Sequence, residues 1–134
     1  MKCYFALTEP DQDNEVYIDL LEVALKSATT NTSLDLYALY DGSKESPCYK
    51  LLQHYNVTTI FHKFSHEDYL PKVYPKNYLE QKFGKCISYK KIAGSFMRLD
   101  IPFVEKEDDF VLYCDIDVFF NKEFFLMTYH IHAI

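Results

Sequence analysis

Phe110-Val111-Leu112-Tyr113-Cys114-Asp115-Ile116-Asp117 is an unbroken apolar run that ends on two carboxylates one residue apart. A continuous run of strand length is what a strand covered on both faces requires. Such strands belong to parallel sheets with helical crossovers, and the ligands of those sheets lie beyond the carboxyl ends of the strands. Fold class and candidate site therefore follow from the same eight residues. In a turn, Asp115 and Asp117 can reach one ion together, and two hard oxygens suit Mg²⁺ or Mn²⁺.

Outward from this stretch, the chain alternates strands and helices. Residues 3–7 form a first apolar strand, followed by a loop of turn formers at 8–14. Tyr17, Leu21, Ala24, Leu25 and Ala28 recur at helical spacing, with Asp13 or Asn14 as the cap and Glu15 in the first turn. Residues 34–40 read as a second strand, 47–55 as a short helix and 57–64 as a third strand rich in β-branched residues. Residues 65–85, interrupted by Pro71 and Pro75, read as a polar excursion with one helical turn. A helix is expected from 87 to 99, stopping before Pro102, then an acidic surface turn at 105–109 and a fourth strand at 110–114. The order is β-α-β-α-β-loop-α-β, an α/β fold with a mostly parallel sheet flanked by helices.

The chain has 134 residues, enough for one domain with its own core. Residues 1–134 are read as a single unit, with an irregular tail at 127–134. A net charge of −6 leaves no basic stripe to displace phosphate counterions, which argues against nucleic acid as a partner. No stretch approaches the roughly 18 apolar residues of a membrane span. The aromatic fraction of 17% is read first as a core of large rings. Arg98 is the one arginine beside 13 lysines, and only arginine grips an anion with a planar fork. The four cysteines, Cys3, Cys48, Cys86 and Cys114, contain no CxxC pair, so a zinc site is not expected. They are read as reduced thiols of a cytoplasmic protein, although an even number leaves a secreted disulfide pair open. His54, His62 and His66 are read as surface or strand residues without ligand spacing.

Phe96-Met97-Arg98-Leu99, then Ile101-Pro102, an acidic turn and the strand ending in Asp115-Ile116-Asp117, resemble the middle of a GT-A-fold glycosyltransferase. The nearest kind is the group of glycogenin and the bacterial lipopolysaccharide galactosyltransferases. Tyr4-Phe5-Ala6-Leu7-Thr8, Tyr17 and Val23-Ala24-Leu25-Lys26-Ser27-Ala28 extend the likeness over nearly all of residues 3–126. The resemblance implies a Rossmann-like nucleotide-diphospho-sugar transferase fold and transfer of a sugar from a UDP-sugar, favoured over a GDP-sugar, to a glycan, lipid or protein acceptor. It implies that Asp115 and Asp117 chelate Mn²⁺ or Mg²⁺ on the donor diphosphate, with Asp115 also near the ribose. Arg98 would approach the donor sugar and diphosphate, and Arg98 and Asp117 would serve catalysis. Thr8, Asp13 and Tyr17 would hold the nucleoside, Tyr17 lying against the base.

The chain departs from that pattern in two places. The loop Glu9-Pro10-Asp11-Gln12-Asp13-Asn14 is longer than the family's compact acidic segment, which leaves open which carboxylate meets the nucleoside. Only 17 residues follow Asp117, so the expectation is the donor half of such a domain, with His130 and His132 in the irregular end rather than on a metal. Two alternatives stand beside the transferase. One is a truncated fragment that binds nucleotide without catalysis. The other is a haloacid-dehalogenase-like phosphohydrolase, whose strand-end Asp-x-Asp supplies nucleophile and general acid. Against the latter, its motif opens the domain, and Phe119 stands where a small hydroxyl residue belongs.

Overall fold

The computed structural model describes residues 1–10, 14–84 and 88–122. Asp13, Cys86, His130, His132 and the tail at 127–134 lie outside the described residues. Four strands, β1 (Lys2–Thr8), β2 (Asp35–Asp41), β3 (Thr58–Phe61) and β4 (Leu112–Tyr113), form one sheet in the order β3-β2-β1-β4. Every pairing is parallel. Helices cover both faces: α1 (Glu15–Asn31) and α2 (Pro47–His54) on one side, α5 (Tyr89–Phe96) and α6 (Ile101–Val104) on the other.

Strand alternation sends β1 into two cores. Cys3, Phe5 and Leu7 face α1 and α2, where Leu21, Ala24, Leu25, Cys48 and Leu52 meet Leu36, Ala38 and Tyr40 of β2. Tyr4 faces the opposite way, with Leu39, Met97 and Ile101. The expected continuous apolar β1 is thus buried on both faces. The cap of α1 is Asn14, whose side chain accepts the Tyr17 N–H at 3.2 Å. Ser46 and Ser88 cap α2 and α5 in the same manner.

Several expected boundaries shift for identifiable reasons. β3 ends at Phe61 rather than at 64: the His62 N–H still donates to the Tyr40 carbonyl at 3.0 Å, and beyond it the Ser65 N–H turns to Asp100 while Phe64 packs into the second core. Residues 65–85 hold more helix than one turn: a 3₁₀ turn (Glu67–Tyr69), α3 (Leu70–Val73) and α4 (Lys76–Phe83). Pro71 lies in the first turn of α3 and Pro75 at the cap of α4, so the prolines start helices rather than interrupt them. The helix expected over 87–99 ends at Phe96, followed by a 3₁₀ turn at Met97–Asp100. Pro102 then sits in the first turn of α6, where its missing N–H loses no bond. β4 covers Leu112–Tyr113, shorter than 110–114; Phe110 is exposed, while the Cys114 N–H still donates to the Tyr4 carbonyl at 3.0 Å.

Two polar clamps tie β4 and its approach to the sheet. The turn at 105–109 is more than a solvated surface. Lys2 Nζ lies 3.0 Å from Glu105, 2.8 Å from Glu107 and 3.3 Å from Asp108, and the Tyr4 hydroxyl donates to Glu105 at 2.7 Å. The second clamp is Asp100, which is buried. It accepts the Ser65 N–H and hydroxyl, both at 2.7 Å, and lies 2.7 Å from His62 Nε2. This pairs His62, read from the sequence as a surface or strand residue without ligand spacing, with a carboxylate 38 residues away. It also means that Arg98 does not pair with Asp100.

Both carboxyls are held below their ordinary range. For Glu105 the main cause is the Glu107 N–H, aided by the Tyr4 hydroxyl and Lys2, and its pKa falls to about 2. For Asp100, burial works upward, but His62 and Ser65 outweigh it. A carboxyl with a depressed folded pKa contributes stability above its unfolded pKa and loses it as pH falls through the folded value. The thermal midpoint should therefore be level above about pH 5 and decline toward about pH 2. Asp100→Asn should lower stability by about 2 kcal/mol at neutral pH and flatten part of that decline, measured by circular dichroism melts across pH. A wild-type midpoint constant from pH 5 to pH 2 would contradict the role given to these clamps.

Candidate functional site

β1 lies between β2 and β4, so the chain leaves β1 toward one face of the sheet and reaches β4 from the other. In a parallel sheet this reversal opens a crevice at the carboxyl ends of the two strands. A cavity of about 430 Å³ occupies that position. β1 contributes Ala6 and Thr8 to its wall, and the following segment and α1 contribute Pro10, Asn14, Tyr17 and Leu20. Lys91, Gly94 and Ser95 come from α5, and Tyr113, Asp115, Ile116 and Asp117 from β4 and the turn beyond it.

Four of the six residues singled out in the sequence thus meet on one cavity: Thr8, Tyr17, Asp115 and Asp117. Asp13 is outside the described residues. Arg98 does not line the cavity. Its guanidinium lies 5.7 Å from the centre of the Tyr113 ring, so it reaches the site through that residue. Tyr17 does two things at once, packing against the larger core and forming cavity wall. Burial pushes its phenol well above the ordinary range.

The shared aim of the two carboxylates has a local cause. Ile116 between them packs against the core, as does Val118. With the intervening residue turned inward, Asp115 and Asp117 both remain exposed at the cavity. The segment is held at its far end as well. Phe120 is buried, its N–H donates to Ser27 Oγ at 3.1 Å, and its carbonyl accepts from Asn31 Nδ2 at 2.6 Å. Ser27 Oγ in turn donates to the Ala24 carbonyl at 3.0 Å. Ser27 and Asn31, both on α1, were not singled out in the sequence, where they look like ordinary helix residues.

The Tyr113 hydroxyl donates to Asp115 Oδ1 at 2.5 Å. Burial is the main reason that the Tyr113 phenol is pushed up to about 12, with Asp115 adding to the shift and Arg98 opposing it. Neither Asp115 nor Asp117 forms an ion pair among the described residues. Two unneutralised carboxylates on one concavity can hold a hard divalent cation if its other positions are filled by ligand oxygens and water. The described residues bring no third acidic, histidine or cysteine ligand to them.

Gly94 sets the depth of the cavity floor. A Cβ at that position would stand 2.6 Å from Thr8 Cγ2 and 2.8 Å from Thr8 Oγ1. The missing side chain lets α5 press on the end of β1. Gly94→Ala should therefore destabilise by about 1–3 kcal/mol through overpacking, although alanine is the better helix former. Thr8→Ala should restore most of that loss in the double variant, read from urea midpoints. Strictly additive effects would show that the two residues do not oppose each other.

No protein-family model matches the chain, and searches of curated proteins and of solved structures find no match either.

Proposed function

We propose that this chain is the donor-binding part of a metal-dependent glycosyltransferase of GT-A type. Its donor is a nucleotide-diphosphate sugar, a UDP-sugar in preference to a GDP-sugar, and its acceptor a glycan, lipid or protein. The observation that carries this reading is the cavity at the sheet reversal, walled by Thr8 and Tyr17 on one side and by Asp115 and Asp117 on the other. A nucleoside fits against the aromatic and small polar groups, and the diphosphate then lies toward the carboxylates. These would repel it unless a cation stood between, so the donor set itself calls for Mg²⁺ or Mn²⁺. When bound, such an ion supplies Lewis-acid stabilisation of the charge that grows on the departing diphosphate.

The residues of the chain do the rest. Asp115 and Asp117 hold the cation. Thr8 and Tyr17 orient the nucleoside. Arg98, one ring removed, adds positive charge behind Tyr113 and steadies the departing diphosphate. The bond from the anomeric carbon to the diphosphate oxygen breaks, a new bond forms from that carbon to an acceptor hydroxyl oxygen, the hydroxyl proton passes to the departing diphosphate or to water, and the nucleoside diphosphate leaves. A phosphohydrolase reading is less well supported. It needs a small hydroxyl residue two positions past Asp117, where Phe119 is large and exposed.

Isothermal titration of UDP and GDP with and without Mn²⁺ tests the proposal. Binding of UDP should require the metal and be lost with chelator. Asp117→Asn should weaken it by on the order of 100-fold, and Arg98→Lys by about tenfold, since an ammonium does not reproduce the planar guanidinium lying over the Tyr113 ring. Metal-independent UDP binding, or an Asp117→Asn variant indistinguishable from wild type, would refute the metal assignment. Release of UDP from UDP-sugars in the presence of saccharide acceptors then separates a transferase from a module that only binds.

A further inference from the structure

We propose that Tyr113 is a positioning residue for the carboxylate pair: it holds Asp115 through Oδ1 and leaves Oδ2 for the cation. This rests on the metal reading above. Tyr113 and Asp115 are two apart along a chain leaving a strand, a spacing that brings side chains to the same side of an extended backbone. Both line the cavity, and their hydrogen bond crosses its rim.

The phenol can act this way because its own ring is held. Tyr113 pairs with Tyr4 in the β4–β1 register. Its ring packs against the second core of Tyr4, Leu39, Met97 and Ile101. Arg98 lies over the same ring, and the turn that carries Arg98 ends at the clamped Asp100. Ser65 and His62 thus fix the end of the turn that carries Arg98, Arg98 lies over the Tyr113 ring, and the Tyr113 hydroxyl donates to a carboxylate oxygen. An exposed aspartate on a turn would otherwise sample several rotamers and give up that freedom when it captures an ion. An outer hydrogen bond that selects one orientation removes that loss, and such partners change metal affinity by about 10–100-fold in other sites.

Tyr113→Phe keeps the ring, its packing and the Arg98 contact, and removes only the hydroxyl. Binding of Mn²⁺, alone and with UDP, is read by electron paramagnetic resonance on wild type, Tyr113→Phe and Asp115→Asn. The inference expects Tyr113→Phe to bind Mn²⁺ roughly tenfold more weakly, with a changed spectrum for the ion that remains bound and an unchanged unfolding midpoint. Asp115→Asn sets the scale for complete loss of that ligand. Affinity equal to or tighter than wild type in Tyr113→Phe overturns the inference and leaves the metal reading standing. So does a weakening that appears only together with a lowered unfolding midpoint. A wild-type protein that binds no Mn²⁺ in either condition overturns this inference and the metal reading together.

Discussion

β4 joins the sheet through two register pairs, Cys3 with Leu112 and Tyr4 with Tyr113, and through the Cys114 N–H bond to the Tyr4 carbonyl. So short a ladder would be weak alone, and the candidate site depends on it. It sets where Tyr113 points and where the chain turns out of the sheet with its two carboxylates. The structure reinforces it on both sides. Before β4, the acidic turn closes on Lys2 and Tyr4; after it, Ile116 and Val118 enter the core and the Phe120 backbone is held by Ser27 and Asn31. The exposed aspartates thus sit on a segment secured at both ends.

The two polar clamps differ in kind. The Lys2 cluster draws one ammonium to a shielded Glu105 and to two exposed carboxylates, Glu107 and Asp108, whose pairs solvent weakens. The Asp100 cluster is buried and satisfied by donors on the segment that leaves β3. A buried carboxylate without those donors would be strongly unfavourable, so the exit of β3 and the turn carrying Arg98 must come together as one unit. That requirement places Arg98 beside Tyr113 instead of in an ion pair with its neighbour at position 100.

Much of the architecture was legible from residue pattern. The apolar runs at 3–7 and 34–40 mark buried strands, the run at 110–114 marks a shorter, half-buried edge strand, and the 3.6-residue spacing from Tyr17 to Ala28 marks α1. Strand lengths were less legible at the sheet edges. β3 and β4 have a neighbour on one side only; Phe64 leaves the sheet for the second core, and Phe110 stays exposed before β4. The prolines at 71, 75 and 102 misled in one consistent way. Each begins a helical turn, a role that composition does not distinguish from breaking one. Of the site, Asp115 and Asp117 were found because a strand end is visible locally, whereas Thr8 and Tyr17 were named through the family resemblance. Lys91, Gly94 and Ser95 were not, because only the packing of α5 on β1 brings them to the same cavity.

The sequence by itself determined the alternation of strand and helix, the parallel pairing that alternation demands, and the position of two carboxylates at the end of an apolar strand. These follow from the propensities and periodicities of residues close together in the chain. Tertiary structure decided the order β3-β2-β1-β4, the partners of Lys2, Asp100 and Ser27, and the reach of Arg98 to the site through Tyr113. The reason is separation. Lys2 meets Glu105 across 103 residues and Ser27 meets Phe120 across 93, and no local pattern encodes which distant group a buried donor or charge will find.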